Sequence, residues 1–136
     1  MLLYKLLIAY GATDYTLLHS AAASQNYGFA SVLLENGAEP SPLNSYKATP
    51  LHFAARLDQA YLAKLLIDKS ADIEARDSHG RTPLFLAVAK GNSQAAKILT
   101  RAKANTKTTN KNGIPARSVA EANRIDLSDE SFSFLF

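Results

Sequence analysis

Thr49-Pro50-Leu51-His52-Phe53-Ala54-Ala55 decides how the rest of the chain is read, because the phrase recurs. It returns as Thr82-Pro83-Leu84-Phe85-Leu86-Ala87-Val88 and is anticipated by Thr16-Leu17-Leu18-His19-Ser20-Ala21-Ala22. The threonines Thr16, Thr49 and Thr82 stand 33 residues apart. A fixed step of that size marks units that bury their apolar faces by stacking on one another. The phrase also reads as a helix start. A threonine hydroxyl can cap the first turn, and the proline that follows Thr49 and Thr82 loses nothing there, since its missing N–H would be unpaired anyway. Ala54 and Ala55 keep the helix thin enough for a neighbour to approach.

Working outward, each phrase is followed by a second apolar run at helical spacing: Phe29, Val32 and Leu33; Leu62, Leu65 and Leu66; Ala95, Ile98 and Leu99. The expected core comprises Leu33, Leu51, Leu65, Leu66, Leu84 and Leu99. Gly37 falls just past a helix end, where a left-handed residue is needed, and Ser70 takes that place one unit later at a modest local cost. Asp77-Ser78-His79-Gly80 and Asn110-Lys111-Asn112-Gly113 read as hairpin tips whose glycines supply positive φ. Asn44-Ser45-Tyr46-Lys47 puts lysine where the glycine belongs, so that tip is expected to be distorted or looser.

Phrase, period and glycine positions together resemble the ankyrin repeat, whose T-P-L-H-x-A signature Thr49 to Ala54 match letter for letter. The resemblance implies an all-α solenoid of stacked helix-turn-helix units with hairpin loops. It divides residues 1–125 into a half-repeat over 1–15, repeats over 16–48, 49–81 and 82–114, and a degenerate cap over 115–125, with a tail over 126–136. Met1 to Ala12 aligns with later second helices and lacks a basic leader, so it is not read as a signal peptide. The gap at Thr13-Asp14-Tyr15 is too short for a projecting hairpin. The uncapped first unit points to a longer array or to a covering protein. The apolar tail, ending Phe132-Ser133-Phe134-Leu135-Phe136, either folds back over the last unit or extends loosely.

Chemistry is sparse. The 136 residues contain no cysteine, which removes disulfides, thiolate metal sites and cysteine nucleophiles. Within the resemblance, the histidine of the phrase (His19, His52) bonds to the threonine and to neighbouring loop backbone. Phe85 takes the same place, which a required ligand or base would forbid. His79 is a tip residue without the neighbours of a general base. The pairs Glu35 with Glu39 and Asp72 with Glu74 fall at helix ends and loop starts, and no phosphate-binding glycine loop occurs. No enzyme, cofactor or metal is expected.

What remains is a surface. The resemblance implies that hairpin tips and the open sides of first helices form a concave, partner-binding face. In this sequence that face holds Ser45, Tyr46, Ala48, Arg56, Leu57, Ser78, His79, Arg81, Ala89, Lys90, Lys111, Asn112 and Ile114. Tyr46, Arg56 and Arg81 are the expected anchors, being of the types enriched in interface hot spots. The leading expectation is a non-catalytic protein-binding module or scaffold, intracellular and cytoplasmic or nuclear, acting as a monomer or within a longer array and without membrane insertion. Two alternatives stand beside it. No acid occurs between Asp77 and Glu121, so the basic stretch Arg81 to Arg117 could meet nucleic acid or another anionic surface. Aromatics that would stack bases are missing there, which makes nucleic acid the weaker partner. The other alternative is a regulatory fragment of a larger multidomain protein.

Overall fold

The computed structural model describes residues 16–136; the expected half-unit and short loop over 1–15 lie outside the described residues. Helices come in pairs: α1 (Leu17–Ala23) with α2 (Tyr27–Glu35), α3 (Pro50–Arg56) with α4 (Ala60–Asp68), and α5 (Pro83–Lys90) with α6 (Ser93–Arg101). A further helix, α7 (Ala116–Ala122), and a 3₁₀ helix (Glu130–Leu135) complete the order. First helices stack in one row, α1 on α3 on α5 on α7, and second helices in another, α2 on α4 on α6, with the 3₁₀ helix against α6.

The starts form as the phrase requires. Thr16, Thr49 and Thr82 accept the N–H of His19, His52 and Phe85, and Pro50 and Pro83 occupy the first turn. Leu33, Leu66 and Leu99, again 33 apart, are wholly buried. One core expectation needs correcting, and one residue of the apolar runs faces outward. Leu65 is half-buried, and Leu62, one turn earlier, fills the interior instead. Val32 is exposed, because α2 turns Ala30, Leu33 and Leu34 inward.

The backbone repeats more strictly than the side chains do. Every positive φ among the described residues falls in one of three registers: 25, 58, 91 and 124 after first helices; 37, 70 and 103 after second helices; 47, 80 and 113 in the hairpin tips. Glycine fills Gly37, Gly80, Gly91 and Gly113, but Gln25, Lys47, Asp58, Ser70, Lys103 and Arg124 adopt the same left-handed conformation. Each such non-glycine residue costs roughly 1–2 kcal/mol, which the packed units on either side must overcome.

Polar groups link successive units. Gln59 and Asn92 occupy the N-cap positions of α4 and α6 but cap neither. Their amides reach back to the end of the preceding first helix: Gln59 Nε2 donates to the carbonyl of Ala22 at 2.6 Å, and Asn92 Nδ2 to those of Ala55 and Arg56 at 2.8 and 2.7 Å. Asn26, in the first described unit, keeps the local cap instead. Asp58 Oδ1 then takes over part of the capping of α6 from outside, accepting the N–H of Ala95 at 2.8 Å.

The tail folds back. Phe132 is almost wholly buried and Leu127 is buried with it, so the 3₁₀ helix covers α6 where a second helix of a fourth unit would lie. Arg117 holds it in place: its Nη1 donates to the carbonyl of Leu135 at 3.2 Å, and its guanidinium sits 4.2 Å from the centre of the Phe136 ring.

Candidate functional site

The hairpin tips share one construction. Asn44, Asp77 and Asn110 each donate their N–H to the carbonyl four residues on, at 3.0 Å, and accept the N–H of Lys47, Gly80 and Gly113 at 2.9–3.0 Å. Their side-chain oxygens each accept two further backbone N–H groups: those of Tyr46 and Ala48, of His79 and Arg81, and of Asn112 and Ile114. The tip at Asn44 to Lys47 is therefore not distorted. Lys47 takes φ 57°, near the 74° and 75° of Gly80 and Gly113, and the Asn44 side chain pins the turn from within. Tips are also joined to one another, since Ser78 donates its N–H to the carbonyl of Tyr46 at 2.8 Å and Lys111 to that of His79 at 2.9 Å.

Beneath the tips, the phrase histidines tie helix to loop. His19 Nε2 lies 2.8 Å from the Ala48 carbonyl and His52 Nε2 lies 2.7 Å from that of Arg81. The N–H of Thr49 donates to His52 Nδ1 at 3.0 Å, so Nδ1 carries no proton and Nε2–H is the donor. Burial holds both imidazoles below the ordinary value of 6.5, against the opposing pull of the carbonyls they bond. In the third unit Phe85 is buried without such bonds, and the Thr82 hydroxyl turns to Thr108 at 3.4 Å.

Between tips and first helices runs a groove of about 520 Å³. Ser45, Tyr46, Ala48, Arg56, His79 and Arg81 of the expected face are brought together there. They do not contribute equally. Tyr46, 67% exposed, stands at the lip with Ser45 and His79. Ala48 is buried, because its N–H and carbonyl are engaged by Asn44 and His19, so it offers little surface. Arg81 is committed to its own turn: Nε and Nη2 both lie 2.9 Å from Asp77 Oδ2. Burial raises the Asp77 carboxyl, yet the N–H groups of Arg81 and His79 and the Arg81 guanidinium outweigh it and hold the group below its usual value.

Arg56 differs. Its guanidinium lies 5.1 Å from the centre of the Phe53 ring, and among the described residues no carboxylate stands within ion-pair distance of it. Phe53 and Leu86 form the apolar floor of the groove and were absent from the expected face. Their signal was in the sequence: they occupy one place of the phrase, where the preceding unit has the exposed Ser20.

The other expected residues lie outside the groove. Leu57 is half-buried in a depression at the helix turns, beside Tyr27 and Tyr61. Ser78, Lys111, Asn112 and Ile114 are exposed along the edge of the tips. Lys90 is exposed and Ala89 half-buried at the end of α5. The neighbouring carboxylates serve structural bonds: Asp72 Oδ1 accepts the N–H of Glu74, Glu74 Oε1 that of Asn105 in the next unit, and Glu35 Oε1 the Ser31 hydroxyl.

Stacked helix pairs with pinned turns projecting over a groove define a solenoid whose open face is not consumed by the core. The chain belongs to the ankyrin-repeat family: the model for ankyrin repeats in three copies matches residues 18–112. Repeats of this family generally serve as protein-interaction modules and are typically non-catalytic. No curated protein matches the sequence. No helix among the described residues is long and apolar enough to cross a membrane.

Proposed function

We propose that the chain is a non-catalytic scaffold module that binds a partner protein through the face formed by its hairpin tips and first helices. The observation that carries this reading is the groove in which the exposed Tyr46 and Arg56 stand over an apolar floor of Phe53 and Leu86. Tyrosine and arginine over a desolvated floor are the combination on which interface energy concentrates. Ser78, Lys111, Asn112 and Ile114 extend the same edge, so a longer partner has room to continue along it.

The basic stretch Arg81 to Arg117 is the lesser candidate. Arg81 pairs with Asp77, and Arg117 with Glu121 at 2.6 Å. The charge is thus answered at the two ends of the stretch, while Lys90, Lys97, Arg101, Lys103, Lys107 and Lys111 have no ion pair among the described residues.

The test is capture of partners by the parent chain, by a Tyr46→Ala/Arg56→Ala variant and by Tyr61→Ala, all first matched in circular dichroism. A protein held by the parent and by Tyr61→Ala, but lost by the double variant, supports the reading. Equal capture by all three removes the site from the groove.

A further inference from the structure

We infer that the groove is specific for an acidic, extended segment of a partner protein, with a carboxylate on Arg56 and an adjacent apolar side chain on Phe53 and Leu86. This rests on the reading of the groove as the partner-binding site and adds the chemistry of what enters it.

Three observations converge. The first is charge. Among the described residues, the one carboxylate that lines the groove, Asp77, is buried and already answered by Arg81 and two backbone N–H groups. Arg56 has no carboxylate within ion-pair distance among the described residues, and the exposed His79 lines the same groove. The lining therefore presents net positive charge to whatever enters. A basic segment would meet repulsion there without a compensating acid.

The second is the position of Arg56 in the repeat. The places 33 residues before and after it hold Ala23 and Ala89. The guanidinium thus rises alone between two small side chains, stacked on Phe53, with its outer edge open. A planar guanidinium braced on a ring keeps its N–H fork free for a carboxylate and loses little freedom on binding.

The third is the floor. Phe53 is 8% exposed and Leu86 4%, so they offer a shallow apolar bed beside the charge rather than a deep hole. At about 520 Å³ the groove suits one or two side chains of an extended segment. A nucleic-acid backbone fits worse, because it presents a row of phosphates and, among the described residues, the groove has a single open guanidinium over an apolar bed.

The probe is a random-peptide library displayed on phage, selected against the chain and, separately, against Arg56→Glu. Expected from the parent are peptides enriched in Asp or Glu next to an aromatic or aliphatic residue. Expected from Arg56→Glu is a switch to Lys or Arg at that place. A parent-selected peptide should lose at least about tenfold in affinity on Arg56→Glu, as for one member of a charge pair. It should also shift the amide resonances of Tyr46, Phe53 and His79.

Peptides without acidic enrichment, or an unchanged preference on Arg56→Glu, overturn the inference. If such peptides still shift the groove resonances, the groove reading survives and only the acidic preference falls. Peptides that shift other residues, or no binders at all, sink both. Displacement of the acidic peptide by a single-stranded oligonucleotide, with the same residues shifted, would transfer the site to nucleic acid and overturn the inference as well.

Discussion

The second and third units obey one phrase and solve one problem differently. In the second, His52 uses both ring nitrogens, one for the Thr49 N–H and one for the Arg81 carbonyl, so a buried polar ring fixes the helix to the loop that follows it. In the third, Phe85 occupies the same place, buried and apolar, and packing does the fixing. A hydrogen-bonded ring specifies where a loop sits, whereas an apolar ring only requires that space be filled. The loop aimed by His52 is the one that carries His79 and Arg81 over the groove.

The largest expected effect tests what the two units share. Leu66 and Leu99 occupy equivalent, wholly buried places. Leu66→Ala and Leu99→Ala should each cost about 2–5 kcal/mol in chemical denaturation. A loss below half of the lower bound in either would show that the apolar layer is not common to both. Next comes His52→Phe, which rewrites the second unit as the third. It leaves the Arg81 carbonyl and Thr49 N–H without their partner, and about 1–3 kcal/mol should be lost. Unchanged stability would mean that the ring's packing, and not its bonds, secures the loop.

The tips offer a smaller and finer comparison. Gly80 and Gly113 have the same left-handed φ, and alanine at either should cost about 1–2 kcal/mol on that account. A Cβ at Gly80 would also stand 2.6 Å from the Lys111 backbone nitrogen, while one at Gly113 meets nothing within 4 Å. Gly80→Ala should therefore unfold earlier than Gly113→Ala, and the reverse order would contradict the seam described between those tips. Lys47→Gly should stabilise by up to about 1 kcal/mol, since it relieves the same strain.

The smallest effect is a pH dependence. His19 and His52 bind protons less readily when folded than at their ordinary value of 6.5. The unfolded chain then holds more protons as pH falls below 6.5, so stability declines there and is complete above it. His52→Phe should flatten this decline, as measured by melting temperature between neutral and mildly acidic pH. A slope unaltered by the substitution would place the titration elsewhere.

Most of the fold was legible because the period appears in residues with strong local demands: threonine caps, prolines in first turns, leucines 33 apart. The tip at Lys47 was misread because glycine was taken as the mark of left-handed backbone. The mark that repeats is the Asn or Asp three residues earlier, whose side chain closes the turn whatever follows it. Leu65 is covered less than expected because helical spacing alone allows two adjacent stripes, and only the neighbouring unit decides which one is covered. On the candidate face, Tyr46 and Arg56 were visible as unusual residue types at variable places. The commitment of Arg81 to Asp77 was not, because an arginine four residues past an acid reads equally well as free or paired until the turn between them is closed.

The bonds from Ser78 to Tyr46 and from Lys111 to His79 are made by backbone alone. Spacing along that edge is accordingly set by backbone and by the side chains of Asn44, Arg76, Asp77 and Asn110, not by Tyr46, His79 or Asn112. Tyr46, His79 and Asn112 behave as letters set at fixed intervals in a line: any one can be exchanged without moving the next. If this edge is the partner-binding face proposed above, a partner's preference is rewritten one residue at a time while the frame that spaces the letters stays the same.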